Sequence, residues 1–162
     1  MEGSSAVLGA FDFSTGSPLT IHNIDSRHYH HVFPDALLKE CKIDGLLALN
    51  CALISDKTNV SIGRKTPLQY LKDRYKWTTE IIVRERLQSH LIPIEELAAD
   101  GYDGLTGTAR AEKVQRNFEA FLRKRAALIL KATRHLAEGR QLSPQELYTG
   151  SRISQRATMY TP

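Results

Sequence analysis

The residues best able to do chemistry lie at positions 28 to 34, His28-Tyr29-His30-His31-Val32-Phe33-Pro34, where three of the six histidines fall within four positions. A neutral imidazole, whose ordinary pKa is about 6.5, can take a proton from water or hold a divalent cation. Two asparagines extend the pattern. Asn50 follows His31 by 19 residues, and Asn59 follows Asn50 by nine. An amide side chain donates and accepts at once, so it can tie down a loop, and its oxygen can serve as a metal ligand. The histidines taken alone would suit a zinc site equally well.

Positioning these groups is the task of the surrounding elements. Leu19 to His22 and His28 to Phe33 are rich in β-branched and aromatic residues, and Asn23 to Arg27 reads as a turn, so a short hairpin is expected. Successive residues on a regular strand point to opposite faces. His30 and His31 therefore cannot both face one site from a continuous strand. Pro34 cannot continue a ladder and biases Phe33 toward extended backbone, which predicts a strand that ends or twists there. Asp35 to Glu40 reads as a helical turn, Lys42 to Leu47 as loop, and Leu49 to Ile54 as a second strand. Ser55 or Asp56 then caps a helix containing Lys57 and Asn59 and ending at Gly63. Thr66-Pro67 starts another helix, running to about Tyr75. Further helices are expected from Thr78 to Leu91 and over residues 93 to 99. The longest runs from about Thr108 to Ala137, with Val114, Phe118, Phe121, Leu122, Leu128, Ile129, Ala132 and Leu136 on one face and Gly139 as its stop.

At this point a resemblance becomes specific. The series His30-His31-Val32-Phe33-Pro34, Leu49-Asn50 and Asp56-Lys57-Thr58-Asn59 resembles the HNH endonuclease superfamily. It is most similar to the HNH domains of GmrSD-type restriction and phage-defence proteins. The likeness covers about residues 19 to 76, and Thr66-Pro67 through Tyr70 resembles the helix that follows the motif in that family. It implies an α+β fold, with a small ββα-metal (HNH) core and a mainly α-helical C-terminal extension. The implied division is a flexible segment over 1–18, the nuclease core over 19–76, a helical extension packed on it over 77–138, and a C-terminal tail over 139–162, mobile from 149 onward. The implied activity is metal-dependent hydrolysis of DNA phosphodiester bonds, as the effector part of a defence protein. By position, His31 is the general base and His30 the metal ligand beside it. Asn50 holds the loop and orients the base, and Asn59 is the final metal ligand. His28 lies on the same strand face as His30 and could be a third ligand, whereas His22, His90 and His135 read as structural.

Hydrolysing a phosphodiester needs an activated water on one side and stabilisation of the leaving oxygen on the other. The ligand set His30 plus Asn59 carries no formal charge. The resemblance implies one Mg²⁺ or Mn²⁺, while an imidazole ligand also suits Zn²⁺ or Ni²⁺. Lys57, Arg64 and Lys65 follow the motif and are candidates for phosphate contacts with DNA, which position a duplex without reading sequence. The basic residues of the long helix, Lys113, Arg116, Arg123, Lys124, Arg125, Lys131 and Arg134, read as a solvated, acid-paired face instead.

Composition sets the outer limits. The 162 residues fit one domain or a small domain with a helical extension, and 41% hydrophobic with 25% charged residues is ordinary for a soluble protein. The net charge of +4 is a mild bias toward polyanions. No apolar run approaches the roughly 20 residues a membrane span needs. The first ten residues carry no basic stretch of a secretory signal, and Cys41 and Cys51 form no disulfide framework, so a cytoplasmic protein with reduced thiols is expected. The Gly/Ser-rich residues 1 to 18 read as ragged, as at the start of a piece cut from a longer chain. No GxxxxGK[ST] run exists, so nucleotide sensing would belong to an upstream sensor domain. Two other readings stand beside the nuclease: a catalytically silent DNA-binding or partner-docking module with the same fold, and a structural zinc site.

Overall fold

The apolar stripe of the long C-terminal helix is the surface on which the other elements assemble. The computed structural model describes residues 11–12, 15–18, 20, 28–45, 47–54, 62–63, 65–102, 104–140 and 142–149. In order they form β1 (His28–His31), α1 (Asp35–Glu40), a single 3-10 turn (Ala48–Asn50), β2 (Cys51–Ile54), α2 (Pro67–Tyr75), α3 (Glu80–Gln88), α4 (Ile94–Leu97), α5 (Gly107–Ala137) and α6 (Pro144–Thr149). The architecture is α+β, with a two-stranded antiparallel sheet beside a larger body of helices. The Leu19 to His22 half of the expected hairpin apart from Thr20, the helix expected over 55 to 63 apart from Ile62 and Gly63, and the chain after Thr149 lie outside the described residues. Among the described residues, no helix is long and apolar enough to cross a membrane.

Val114, Phe118, Phe121, Arg125 and Leu128 are buried on α5 at alternating spacings of four and three, which is one continuous helical face. Its apolar members pack against α4, α6 and the 3-10 turn. Phe33 reaches into this face, with its ring centroid 5.2 Å from that of Phe118 and 6.2 Å from that of Phe121. Both pairs are tilted, an arrangement aromatic rings favour over a face-to-face stack. The stripe stops short of the helix end: Leu136, expected on it, is half exposed.

Arg125 corrects the solvated, acid-paired reading of the basic residues on α5. It is buried, and its guanidinium donates to the carbonyl of Leu49 at 2.7 Å and that of His90 at 3.3 Å. Position decides this: Arg125 falls one turn after Phe121 and so shares the core-facing stripe. Burial lowers its pKa from the usual arginine range, without bringing the group near neutrality. Arg116 and Arg123 do pair with Glu112 and Glu119 one turn back. Lys131 donates to the carbonyls of Glu146 and Leu147, acceptors left free in the last turn of α6. Part of the stretch read as a tail is thus a docked helix, with Leu147 buried and the Tyr148 hydroxyl donating to Ile92 O at 2.8 Å.

The helix ends follow local chemistry. Thr66 and Gln69 form a reciprocal capping box with Pro67 in the first turn of α2, and Thr79 caps α3. α5 ends in a Schellman motif, with Gly139 at φ 71° donating to Leu136 O and Arg140 to His135 O. The same 6→1 bond closes α1 (Ile43 N to Leu38 O) and α3 (Ile92 N to Leu87 O), but with Lys42 and Leu91 in the left-handed conformation. For that reason α3 stops at Gln88 rather than continuing to Leu91.

Residues 11–12 and 15–18, expected to be ragged, form a tight docked turn. Phe11 bridges Pro18, Asp12 is fully buried, and Thr15 N donates to its carboxylate at 2.9 Å. The turn sits on the end of α3, where Phe11 N donates to Ser89 Oγ and His90 Nε2 donates to Phe11 O. Burial lowers the His90 pKa, the carbonyl of Phe11 opposes that shift, and the charge of Arg125 adds to it. A histidine with a depressed native pKa takes up its proton first in the unfolded chain. Stability should therefore fall as pH drops below about 6.5, and His90→Gln should flatten that slope in urea titrations between neutral and mildly acidic pH. An unchanged slope would remove His90 as its source. Arg125→Met keeps the stem but takes the guanidinium donor from the carbonyls of Leu49 and His90, both in part-buried bonds, at about 1–3 kcal/mol each. Equilibrium unfolding should show a loss of about 3 kcal/mol, and a loss under about 1 kcal/mol would contradict the role given to this side chain.

Candidate active site

His30 and His31 are neighbours on β1 that look in opposite directions. The register pairs His28 with Ile54, Tyr29 with Leu53, His30 with Ala52 and His31 with Cys51. Ala52 is buried, and so is the Nε2 atom of its partner His30. Tyr29, on the other face, is 77% exposed. His31 shares that outer face and is half-buried. The strand ends at His31, and Val32 and Phe33 form a bend before Pro34, as the proline predicts.

That bend is held by Asn50, which is fully buried. Its Oδ1 accepts from Phe33 N at 2.8 Å, while Nδ2 donates to Phe33 O at 3.1 Å and to Gly45 O at 3.2 Å. One amide thus satisfies both main-chain groups of Phe33 and closes the loop that leaves β1. The carbonyl of Asn50 also accepts from Val32 N at 2.7 Å. Asn50 lies in the 3-10 turn just ahead of β2 rather than within the strand, and this turn aims its side chain back across the loop. Gly45 is buried against it, where an added Cβ would collide with Leu38.

Three further groups fix the same bend and were not legible as site residues. The Tyr70 hydroxyl, from α2, donates to Val32 O at 2.9 Å. Tyr70 is fully buried, and burial drives its pKa far upward, so the phenol stays a donor. Arg125 holds Leu49 O, on the other side of Asn50. Phe33 is pinned by Phe118 and Phe121. The only sequence signal for Tyr70 was its place in the helix after the motif, and Arg125 carried none beyond its position on the α5 stripe.

The predicted residues divide accordingly. His30, His31 and Asn50 meet within one β1–loop–β2 unit. Asn59, Lys57 and Arg64 lie outside the described residues. Lys65 is exposed and pairs with Asp73 at 2.9 Å, and Lys76 joins the same carboxylate at 3.0 Å. Hydrogen bonds from Lys65 and then Lys76 hold the Asp73 pKa down at about 2. Among the described residues, no group of three or more His, Cys, Asp and Glu converges as a metal cage. The donor set expected here is different, an imidazole nitrogen from His30 and an amide oxygen from Asn59, and both atom types are suited to a divalent cation.

Comparison with known proteins adds a distant relative. No protein-family model matches the chain, and no solved structure matches it. An uncharacterised protein of Methanocaldococcus jannaschii is 29% identical over 148 residues, covering 79% of this chain. The chain spans 25% of that relative's length.

The Asn50 clamp makes a sharp prediction through Asn50→Asp. The new carboxylate keeps the acceptor for Phe33 N but faces two carbonyls it cannot serve. Burial and those carbonyls raise its folded pKa. The stability it contributes is therefore fully present below the ordinary aspartate pKa of about 3.9 and is lost as pH rises through the folded value. Asn50→Asp should cost about 3 kcal/mol at neutral pH and recover part of this in acid, where the protonated group donates again. Denaturation of Asn50→Asp and Asn50→Ala across pH checks it: matching pH profiles for the two variants would contradict donation by Nδ2.

Proposed function

We propose that the chain is an HNH-type, metal-dependent DNA endonuclease domain, acting as the effector part of a restriction or phage-defence protein. The observation carrying this reading is the Asn50 clamp, in which an amide closes the loop between two antiparallel strands directly behind His31. The motif resemblance requires that job of its middle asparagine. The great length of the Methanocaldococcus jannaschii relative is consistent with a sensor domain elsewhere in a longer parent protein.

In this reading His31 accepts a proton from the attacking water. It can do so because it is half-buried on the solvent-facing side of β1, at the strand's last position. A side chain there would drift if the following residues were loose. Asn50, Tyr70 and the Phe118/Phe121 pocket fix the main chain of Val32 and Phe33, so the imidazole is aimed before substrate arrives. His30 and Asn59 hold one divalent cation, Mg²⁺ or Mn²⁺ first and Zn²⁺ or Ni²⁺ second. When bound, the cation supplies electrostatic stabilisation of the leaving oxygen. Lys57, Arg64 and Lys65 contact phosphates, and for Lys65 a phosphate competes with the Asp73 carboxylate.

The test is nicking of supercoiled plasmid by the full chain with Mg²⁺, Mn²⁺, Zn²⁺ or Ni²⁺, beside His31→Ala. Loss of a general base removes roughly a hundredfold or more of rate, so metal-dependent nicking should fall at least that far while the thermal melt is kept. Undiminished nicking by His31→Ala would overturn the base assignment. DNA binding with no cutting in any metal would replace the nuclease with a silent DNA-binding module.

A further inference from the structure

We propose that His31 and Cys51 together form a site for a thiophilic divalent cation, such as Zn²⁺ or Cd²⁺, whose occupancy blocks His31. The second half of this statement rests on the nuclease reading; the site itself does not.

The strand register puts His31 directly opposite Cys51. Which kind of rung they occupy follows from the neighbouring one. Val32 N donates to Asn50 O at 2.7 Å, so Val32 and Asn50 form a hydrogen-bonded rung. Rungs of the two kinds alternate in an antiparallel ladder, and His31–Cys51 is therefore of the non-hydrogen-bonded kind. Cα atoms there are only about 4.5 Å apart, and side chains are closest. Directly opposed side chains also share a face of the sheet. Both residues are half-buried, and Tyr29, two positions before His31 on the same face, is 77% exposed. The pair is thus open to solvent at one side. The Cys51 thiol makes a long contact to Leu47 O at 3.6 Å, which a metal can displace at little cost.

Imidazole and thiolate are the ligands that zinc-like ions select, at about 2.0–2.1 Å and 2.3 Å respectively. Two donors on opposed strand positions can converge on one ion over such distances. The binding step balances simply. The Cys51 S–H proton leaves to solvent, a sulfur–metal bond forms, a neutral His31 nitrogen donates its lone pair, and water fills the remaining positions. With two protein ligands the site is exchangeable, unlike a closed four-ligand structural site. An imidazole bound to such an ion cannot accept a proton from water. Cys41 provides the contrast: it borders Glu40 and Arg110 at the end of α1, and its thiol is pushed upward by burial.

Cd²⁺ is the probe, read by the ultraviolet thiolate-to-metal charge-transfer band of the full chain. The wild type and Cys41→Ser should show the band at equimolar metal, and Cys51→Ser and Cys51→Ala should lack it. His31→Ala should weaken Cd²⁺ binding by at least about tenfold, the lower range seen when a metal site's support is removed. An equal band in Cys51→Ser, or an affinity unchanged in His31→Ala, would overturn the site. If plasmid nicking with Mg²⁺ or Mn²⁺ is present, Zn²⁺ added to that reaction should inhibit the wild type and spare Cys51→Ser. Equal inhibition of both would overturn the blocking role. A chain that never nicks leaves the spectroscopic outcome to decide the site alone.

Discussion

Three hydrogen bonds to and from one buried amide hold the sharp change of direction beside His31. Asn50 serves the N–H and C=O of Phe33 and the C=O of Gly45. Leaving β1 strips Phe33 of ladder partners, and its ring is drawn into the α5 face where water cannot replace them. Buried main-chain polar groups without partners are costly, so a side chain that both donates and accepts is required. Asparagine at position 50 meets that need, and its reach is set by the 3-10 turn it occupies.

Other elements reinforce the same few residues. α2 contributes the Tyr70 hydroxyl to Val32 O, and α5 contributes Arg125 to Leu49 O and the aromatic pocket to Phe33. The two-stranded sheet is small, and an isolated pair of strands is marginal in water. Here the end of the pair at His31 and Cys51 is fastened to a 31-residue helix through Phe33 and the carbonyl of Leu49. Residues 77 to 138 are therefore more than an appendage, since the loop beside His31 depends on them. Arg125 also ties the sheet to the end of α3 through His90 O, and His90 in turn holds the turn at Phe11.

Much of this was written locally in the sequence. Thr66-Pro67 announced α2, and the 4-3 spacing of Val114, Phe118 and Phe121 announced α5. The job of Asn50 followed from its distance to the histidines and the resemblance that spacing carried. What stayed hidden were features fixed by tertiary contact or by unusual backbone. Lys42 and Leu91 end helices in a conformation usually signalled by glycine, so α3 looked longer than it is. Arg125 looked like a surface cation because charge says nothing about which carbonyls lie within reach. Phe11 to Pro18 looked ragged because its partners, Ser89 and His90, are more than 70 positions away. Cys51 meant little until the register set it across from His31.

The proposed chemistry requires a cation bound at His30 within reach of His31, although the two side chains leave β1 on opposite faces. Histidine-ring NMR signals of the full chain during a Mn²⁺ titration test it directly, because the paramagnetic ion broadens nearby nuclei and needs no turnover. The His30 signal should broaden first and that of His31 with or just after it, while His90 and His135 stay sharp at the same metal concentration. Broadening that begins at His90 or His135, or that touches all histidines alike, would contradict it.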